Sequence, residues 1–199
     1  MKKIYKKIWE EIMRKNIIVA VVGMTGAGKS EVTQFFLDKG FKRVYLGDVT
    51  FDEMKRRNLE ITPDNERMVR ESLRAENDMA IYAKKSLDKI KKYYDNGENV
   101  VVESIYSWSE YKFFKEIFGN NFKVLAIVTN RDIRAKRLEI REIRPLTDEQ
   151  VTKRDYTEIE NIEKGGPIAI ADYYMENNDD MKKLKESSKR FFESMEKML

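Results

Sequence analysis

The chain has 199 residues, 41% of them hydrophobic, which suits one well-packed α/β core and is too little for two full domains of ordinary size. Its 39 basic and 35 acidic side chains nearly cancel to a net +4, so no strong field marks a general nucleic-acid binder. The lack of Cys and His excludes disulfides, thiolate catalysis, zinc sites and imidazole chemistry; any general base is then a carboxylate, and any metal a hard, oxygen-bound ion such as Mg²⁺.

Residues 1–16 read as a basic amphipathic helix, with Ile4, Ile8, Trp9, Ile12 and Met13 on one side and Lys2, Lys3, Lys6 and Lys7 on the other. Packing on its own domain is favoured over a membrane or a partner protein. The apolar run 17–22 is a buried-type strand, and it leads directly into Gly23-Met24-Thr25-Gly26-Ala27-Gly28-Lys29-Ser30, which fits G-x-x-x-x-G-K-[ST]. A helix follows to Gly40, so the context is strand, loop, helix. The glycines let the backbone turn its N–H groups around a polyphosphate, Lys29 offers a charge to the β- and γ-phosphates, and Ser30 offers a hydroxyl to Mg²⁺. Thr33, one turn into the helix, is grouped with these nucleotide contacts.

A second strand at 43–46 ends at Gly47-Asp48, which places a carboxylate at the same end of a parallel sheet as the phosphate loop. Residues 48–96 carry almost no strand signal and read as a helical insertion: a helix at 51–58, a start at Thr62-Pro63-Asp64, and continuous helix over 68–94. Its Arg67, Arg70 and Arg74 form a basic stripe at i, i+3 and i+7 suited to an anionic substrate group, with Arg70 and Arg74 preferred. A third strand, 100–102, delivers Glu103 and Ser104 to its C-terminal end. Tyr93-Tyr94 and Phe113-Phe114 read as core.

A helix at 108–118, a turn at Gly119-Asn120-Asn121 and a fourth strand at 124–128 come next. The highly charged segment 131–144 reads as one helix that lines up Arg134, Arg137, Arg141 and Arg144, of which Arg137 and Arg141 are the preferred phosphate contacts. Thr147-x-x-Gln150 fits a capping box, Gly165-Gly166-Pro167 a breaker, and 173–175 a fifth strand. The helix from Asp180 turns Met181, Leu184, Phe191, Met195 and Met198 inward. Strands alternating with helices imply a parallel, doubly wound sheet. Asp48 and Glu103 are the acids at strand ends: one would orient Mg²⁺ and the other accept a proton from an attacking hydroxyl.

Taken in order, Gly23 to Ser30, Gly40-Phe41 followed by Gly47-Asp48, Leu73-Arg74-x-Glu76, Arg134-x-x-Arg137-Leu138-x-x-Arg141, Arg154-Asp155, and Ala171-Asp172-Tyr173 with Asn177 resemble the dephospho-CoA kinase branch of the P-loop nucleotide kinases. They resemble more closely a group of archaeal kinase-like relatives of it, over residues 17–195. The resemblance implies a three-layer α/β/α P-loop NTPase fold with a five-stranded parallel sheet, formed by a single domain spanning 1–199. It further implies an acceptor-binding region over 48–94, a mobile lid at 137–165, Asn177 near the adenine, and Asp48 as general base; Ser30 and Glu103 are expected at the metal, and Asp48 and Glu103 also among the acceptor contacts. The chain departs from that branch at Val102-Glu103-Ser104-Ile105, where an Asp-rich, proline-containing motif is usual, and at Val49-Thr50-Phe51-Asp52 in the acceptor region.

The expected activity is therefore an ATP- and Mg²⁺-dependent transfer of the γ-phosphoryl group to a small nucleotide-like acceptor: dephospho-CoA, a nucleoside monophosphate or a nucleoside. The competing reading is a nucleotide-binding switch or slow NTPase that acts through a protein or membrane partner. A polynucleotide kinase is disfavoured by the charge balance, and no nucleic-acid partner is expected. No apolar run approaches the ~18 residues of a membrane span, and no secretory signal is present, so a cytoplasmic monomer is expected.

Overall fold

A computed structural model describes residues 16–196; apart from Asn16, the expected helix at 1–16 lies outside the described residues, as does the expected inward Met198. Five parallel strands form one sheet in the order β2-β3-β1-β4-β5: β1 (Ile18–Val22), β2 (Lys42–Tyr45), β3 (Val100–Glu103), β4 (Phe122–Val128) and β5 (Tyr173–Glu176). All five strands of the sequence reading are present. The central strand β1 is buried on both faces, as its unbroken apolar run requires.

Side chains alternate across the sheet. Ile18, Ala20 and Val22 enter the core that Phe114 and Phe118 of α5 (Trp108–Phe118) and Ile90 of α4 (Ile81–Asp95) complete. Val19 and Val21 enter the opposite core, with Phe36 of α1 (Lys29–Asp38) and Leu184, Phe192 and Met195 of α9 (Met181–Glu196). The result is three layers. Phe114 lies in the core, with Tyr93, Tyr94 and Phe113 packed against it. Met181, expected inward, is instead exposed, and Ser188 takes a buried place on α9.

The helices leaving β1 and β3, α1 and α5, lie on opposite faces of the sheet. The loops after those two adjacent strands therefore diverge and leave a crevice at their C-terminal ends. The register Val21↔Glu103↔Tyr45 brings the ends of β1, β3 and β2 level there.

Between β2 and β3 run α2 (Asp48–Arg56), α3 (Pro63–Glu76) and α4. The Thr62 hydroxyl caps α3 by accepting from the Asn65 amide, with Pro63 in the first turn. The helix expected over 68–94 is two helices. Asn77 donates to the Leu73 carbonyl and Asp78 accepts from the Ala80 amide, and these short polar side chains draw the backbone out of the helix.

A second difference lies after β4. The helix α6 (Arg131–Glu139) stops five residues before Arg144, because the Leu146 amide turns back to the Leu138 carbonyl and Leu146 packs on Ala135, Leu138 and Val151. Arg144, at φ 55 and preceding Pro145, cannot stay helical. The stripe of four arginines is therefore not one helical face. The Thr147–Gln150 capping box opens α7 (Asp148–Glu160) as expected. Gly165-Gly166-Pro167 forms a short helix, α8 (Gly165–Ala169), where a breaker was expected. A side chain at Gly166 would meet the Trp108 ring at 2.9 Å.

Candidate active site

The loop between β1 and α1 wraps tightly on itself. Gly23 adopts φ 146 with its Cα against the Ile127 carbonyl, which a Cβ would approach to 2.5 Å; Gly28 adopts φ 94 against the Asn177 amide. Lys29 folds back so that Nζ donates to the carbonyls of Gly23 (2.9 Å) and Met24 (3.0 Å). Burial, followed by the nearby charge of Lys164, lowers the Lys29 ammonium to about 7.

Ser30 and Glu103 come together as the sequence reading expected. The Ser30 hydroxyl lies 3.5 Å from Glu103 Oε1, and the other carboxylate oxygen is held by Arg43 at 2.6–2.8 Å. Glu103 is buried, and the residue after it, Ser104, sits at φ 73, a conformation that side chains other than glycine rarely adopt. A hydroxyl and a carboxylate offer oxygen only, which fits Mg²⁺. Among the described residues no group of three or more Asp or Glu is placed to hold a metal by protein ligands alone.

The far side of the loop is gripped by α6 and α7. Arg134 donates to the Thr25 carbonyl at 3.0 Å and forms a two-pronged pair with Asp155 at 3.0 and 2.7 Å. This arginine is buried and committed to those partners, so it braces the loop instead of facing a phosphate. The Thr25 hydroxyl donates to Glu158 Oε1 at 2.7 Å, which Arg154 Nε also approaches at 3.1 Å, while Lys164 Nζ donates to Oε2 at 2.6 Å. Burial alone would raise the Glu158 carboxyl; Lys164, Arg154 and the Thr25 hydroxyl instead hold it down at about 2.

A family model described as an AAA domain matches residues 19–163, from β1 to the end of α7 and its following turn. A UPF0200 protein of Thermococcus kodakarensis is 34% identical over 165 residues, covering 81% of this chain and 89% of the relative. The chain belongs to the UPF0200 family. In fold it is similar to a shikimate kinase from Bacteroides thetaiotaomicron, with a TM-score of 0.60 at 16% identity over 90% of this chain and 98% of the other. It is also similar to the dephospho-CoA kinase from Campylobacter jejuni, with a TM-score of 0.58 at 15% identity over 90% and 97%. These likenesses establish the P-loop kinase-like fold.

In this UPF0200 chain the remaining expected residues divide. Asp48 opens α2 and is 47% exposed, with Lys89 at 3.1 Å. Arg137 reaches the β5–α9 loop, donating to the carbonyls of Asn177 (3.0 Å) and Asp179 (2.8 Å). Asn177 is buried and donates to the Ala27 carbonyl at 2.9 Å, so it braces the loop. Thr33 is also buried, beneath the loop, with its hydroxyl unpartnered. Both were expected as nucleotide contacts, and in the structure both side chains are buried.

The basic stripe of α3 is likewise dispersed. Arg67 pairs with Asp64 on the surface, Arg70 with Glu66 at 3.4 Å, and Arg74 stacks over the Tyr82 ring at 4.8 Å with its Nε unpartnered. Arg141 donates to the Arg144 carbonyl; burial, then the Arg154 and Arg144 guanidiniums beside it, lower its pKa. Arg43, Glu66, Glu158 and Lys164, which the sequence reading did not single out, each have a partner at least six positions away, although Glu66 and Glu158 also pair within their own helices with Arg70 and Arg154. Their long-range partners leave no local pattern in the sequence.

Proposed function

We propose that the protein is an ATP-dependent small-molecule kinase. The donor triphosphate would lie in the loop from Gly23 to Ser30, along its amides and Lys29. The observation that carries this reading is the meeting of the Ser30 hydroxyl and the Glu103 carboxylate beside Lys29, at the ends of two adjacent parallel strands. Mg²⁺, held there by Ser30 and Glu103 together with phosphate and water oxygens, would neutralise charge on the transferred group.

Glu103 is buried and committed to Ser30 and Arg43, so Asp48 is the acid left to face an acceptor. Lys89 releases it, and the carboxylate takes the proton of the attacking hydroxyl. Residues 48–96 form the acceptor side and 137–165 the lid. Arg141, crowded by Arg144 and Arg154, is an under-neutralised cation, and we assign it with Arg137 to the charge that develops on the phosphoryl group. The fold likeness to a dephospho-CoA kinase and to a shikimate kinase supports a small acceptor with a free hydroxyl.

The test is ADP release from MgATP against a panel of nucleosides, nucleoside monophosphates and dephospho-CoA, each compared with a blank lacking acceptor. Strong stimulation by one acceptor is the expected result. Tight ATP binding with slow, acceptor-independent hydrolysis would replace the kinase reading with that of a nucleotide-dependent switch.

A further inference from the structure

Phosphoryl transfer as described leaves the most deeply buried charge near the loop without a task. Lys164 is 1% exposed, lies 4.7 Å from the Tyr106 ring centroid, and is bound to Glu158 at 2.6 Å. Removing two charges from water costs free energy that their attraction rarely exceeds, so such a pair is weak support for stability. Its geometry is more telling. Glu158 accepts from the hydroxyl of Thr25, the third residue of the phosphate loop, and Arg134 holds the carbonyl of the same residue. Both contacts come from the helices that carry the lid, and they fix side chain and backbone at once.

We propose that Glu158 and Lys164 are positioning residues for the phosphate loop: Glu158 anchors Thr25 and so aims the loop amides and Lys29, while Lys164 holds Glu158 in that orientation. This rests on the reading that the loop binds MgATP. Docking of α7 and competence of the loop then become one event, because the residue that orders the loop belongs to α7. Neither side chain touches the nucleotide. Their influence passes through Thr25.

The experiment measures MgATP dissociation constants and melting temperatures for the wild type, Glu158→Gln, Glu158→Asp, Thr25→Val and the double variant Thr25→Val/Glu158→Gln. Thr25→Val leaves Glu158 paired with Lys164 and Arg154, so it creates no unpaired buried charge and should melt close to the wild type. The expected result is about tenfold weaker binding in Thr25→Val and in Glu158→Gln, no further loss in the double variant, and partial recovery in Glu158→Asp. Binding by Thr25→Val within twofold of the wild type, or losses that simply multiply in the double variant, would overturn the proposal while leaving the function intact. A wild-type protein that fails to bind MgATP overturns the functional reading and the positioning role together.

Discussion

Glu66 of α3 and Arg144, between α6 and α7, form a two-pronged ion pair at 2.6 and 3.3 Å across 78 positions of sequence. The pair joins α3 to the segment between α6 and α7. Glu66 is buried whereas Arg144 is half exposed, so water screens the contact and its worth is about 1 kcal/mol. It holds Arg144 against the cost of a left-handed backbone, itself about 1 kcal/mol.

Replacing Glu66 with Gln should therefore speed amide exchange across residues 140–147 by about fivefold, with little change in global melting. Unchanged exchange in that segment would show that the ion pair does not hold it in place.

Lys29→Ala should abolish MgATP-dependent turnover by about a hundredfold or more, with a native circular dichroism spectrum and thermal melt. The side chain hydrogen-bonds the carbonyls of its own loop, so its loss breaks no hydrogen bond to another element. Normal turnover in this variant would refute the phosphate-loop assignment.

Glu110 is fully buried beneath the α5 N-terminus, accepting from the Tyr106 and Ser107 amides through Oε2 while Oε1 has no partner. Burial raises its carboxyl from 4.5 to about 7, offset in part by Arg74 and those amides. The folded state thus binds a proton that the unfolded chain has released between pH 4.5 and 7. Stability falls across that window, by up to about 3 kcal/mol at ~1.4 kcal/mol for each tenfold change in proton affinity, and stays lower above it. Urea unfolding across pH 4.5–8 should show this slope in the wild type, and Glu110→Gln should flatten it.

Asp155→Ala should cost about 3–5 kcal/mol, since it leaves Arg134 charged and buried without its partner. At 2–4 °C per kcal/mol, the melting temperature should fall by roughly 10 °C. Arg131→Ala, which breaks an exposed, solvent-screened pair with Asp148, should barely move the melting temperature. Equal effects of the two substitutions would contradict the buried bracing of the loop.

Local chemistry alone determined much of this protein. Largely apolar runs long enough only for strands fixed the three inner strands β3, β1 and β4, because a strand buried on both faces has no other composition, whereas the edge strands β2 and β5 carry polar side chains that face water. The glycine spacing before Lys29-Ser30 fixed the loop, since positive φ at Gly23, Gly26 and Gly28 has no cheaper solution. The capping boxes at Ser107–Glu110 and Thr147–Gln150 set helix starts through contacts three residues apart, and both fit the S/T-x-x-E/Q pattern in the sequence.

Only the tertiary structure decided how the charges were shared out. Arg134, Arg137, Arg141 and Arg144 look equivalent along the chain, yet one is buried against Asp155, one holds the β5–α9 loop, one is left under-neutralised and one reaches Glu66. Each outcome depends on which carboxylate or carbonyl a distant element brings within 3 Å or so, and on how much water remains around it. Sequence spacing fixes which side chains share a helical face while the helix lasts; where α6 ended, and which anion waited beyond it, were settled by Leu146 packing back on Leu138 and by Glu66 lying across the cleft.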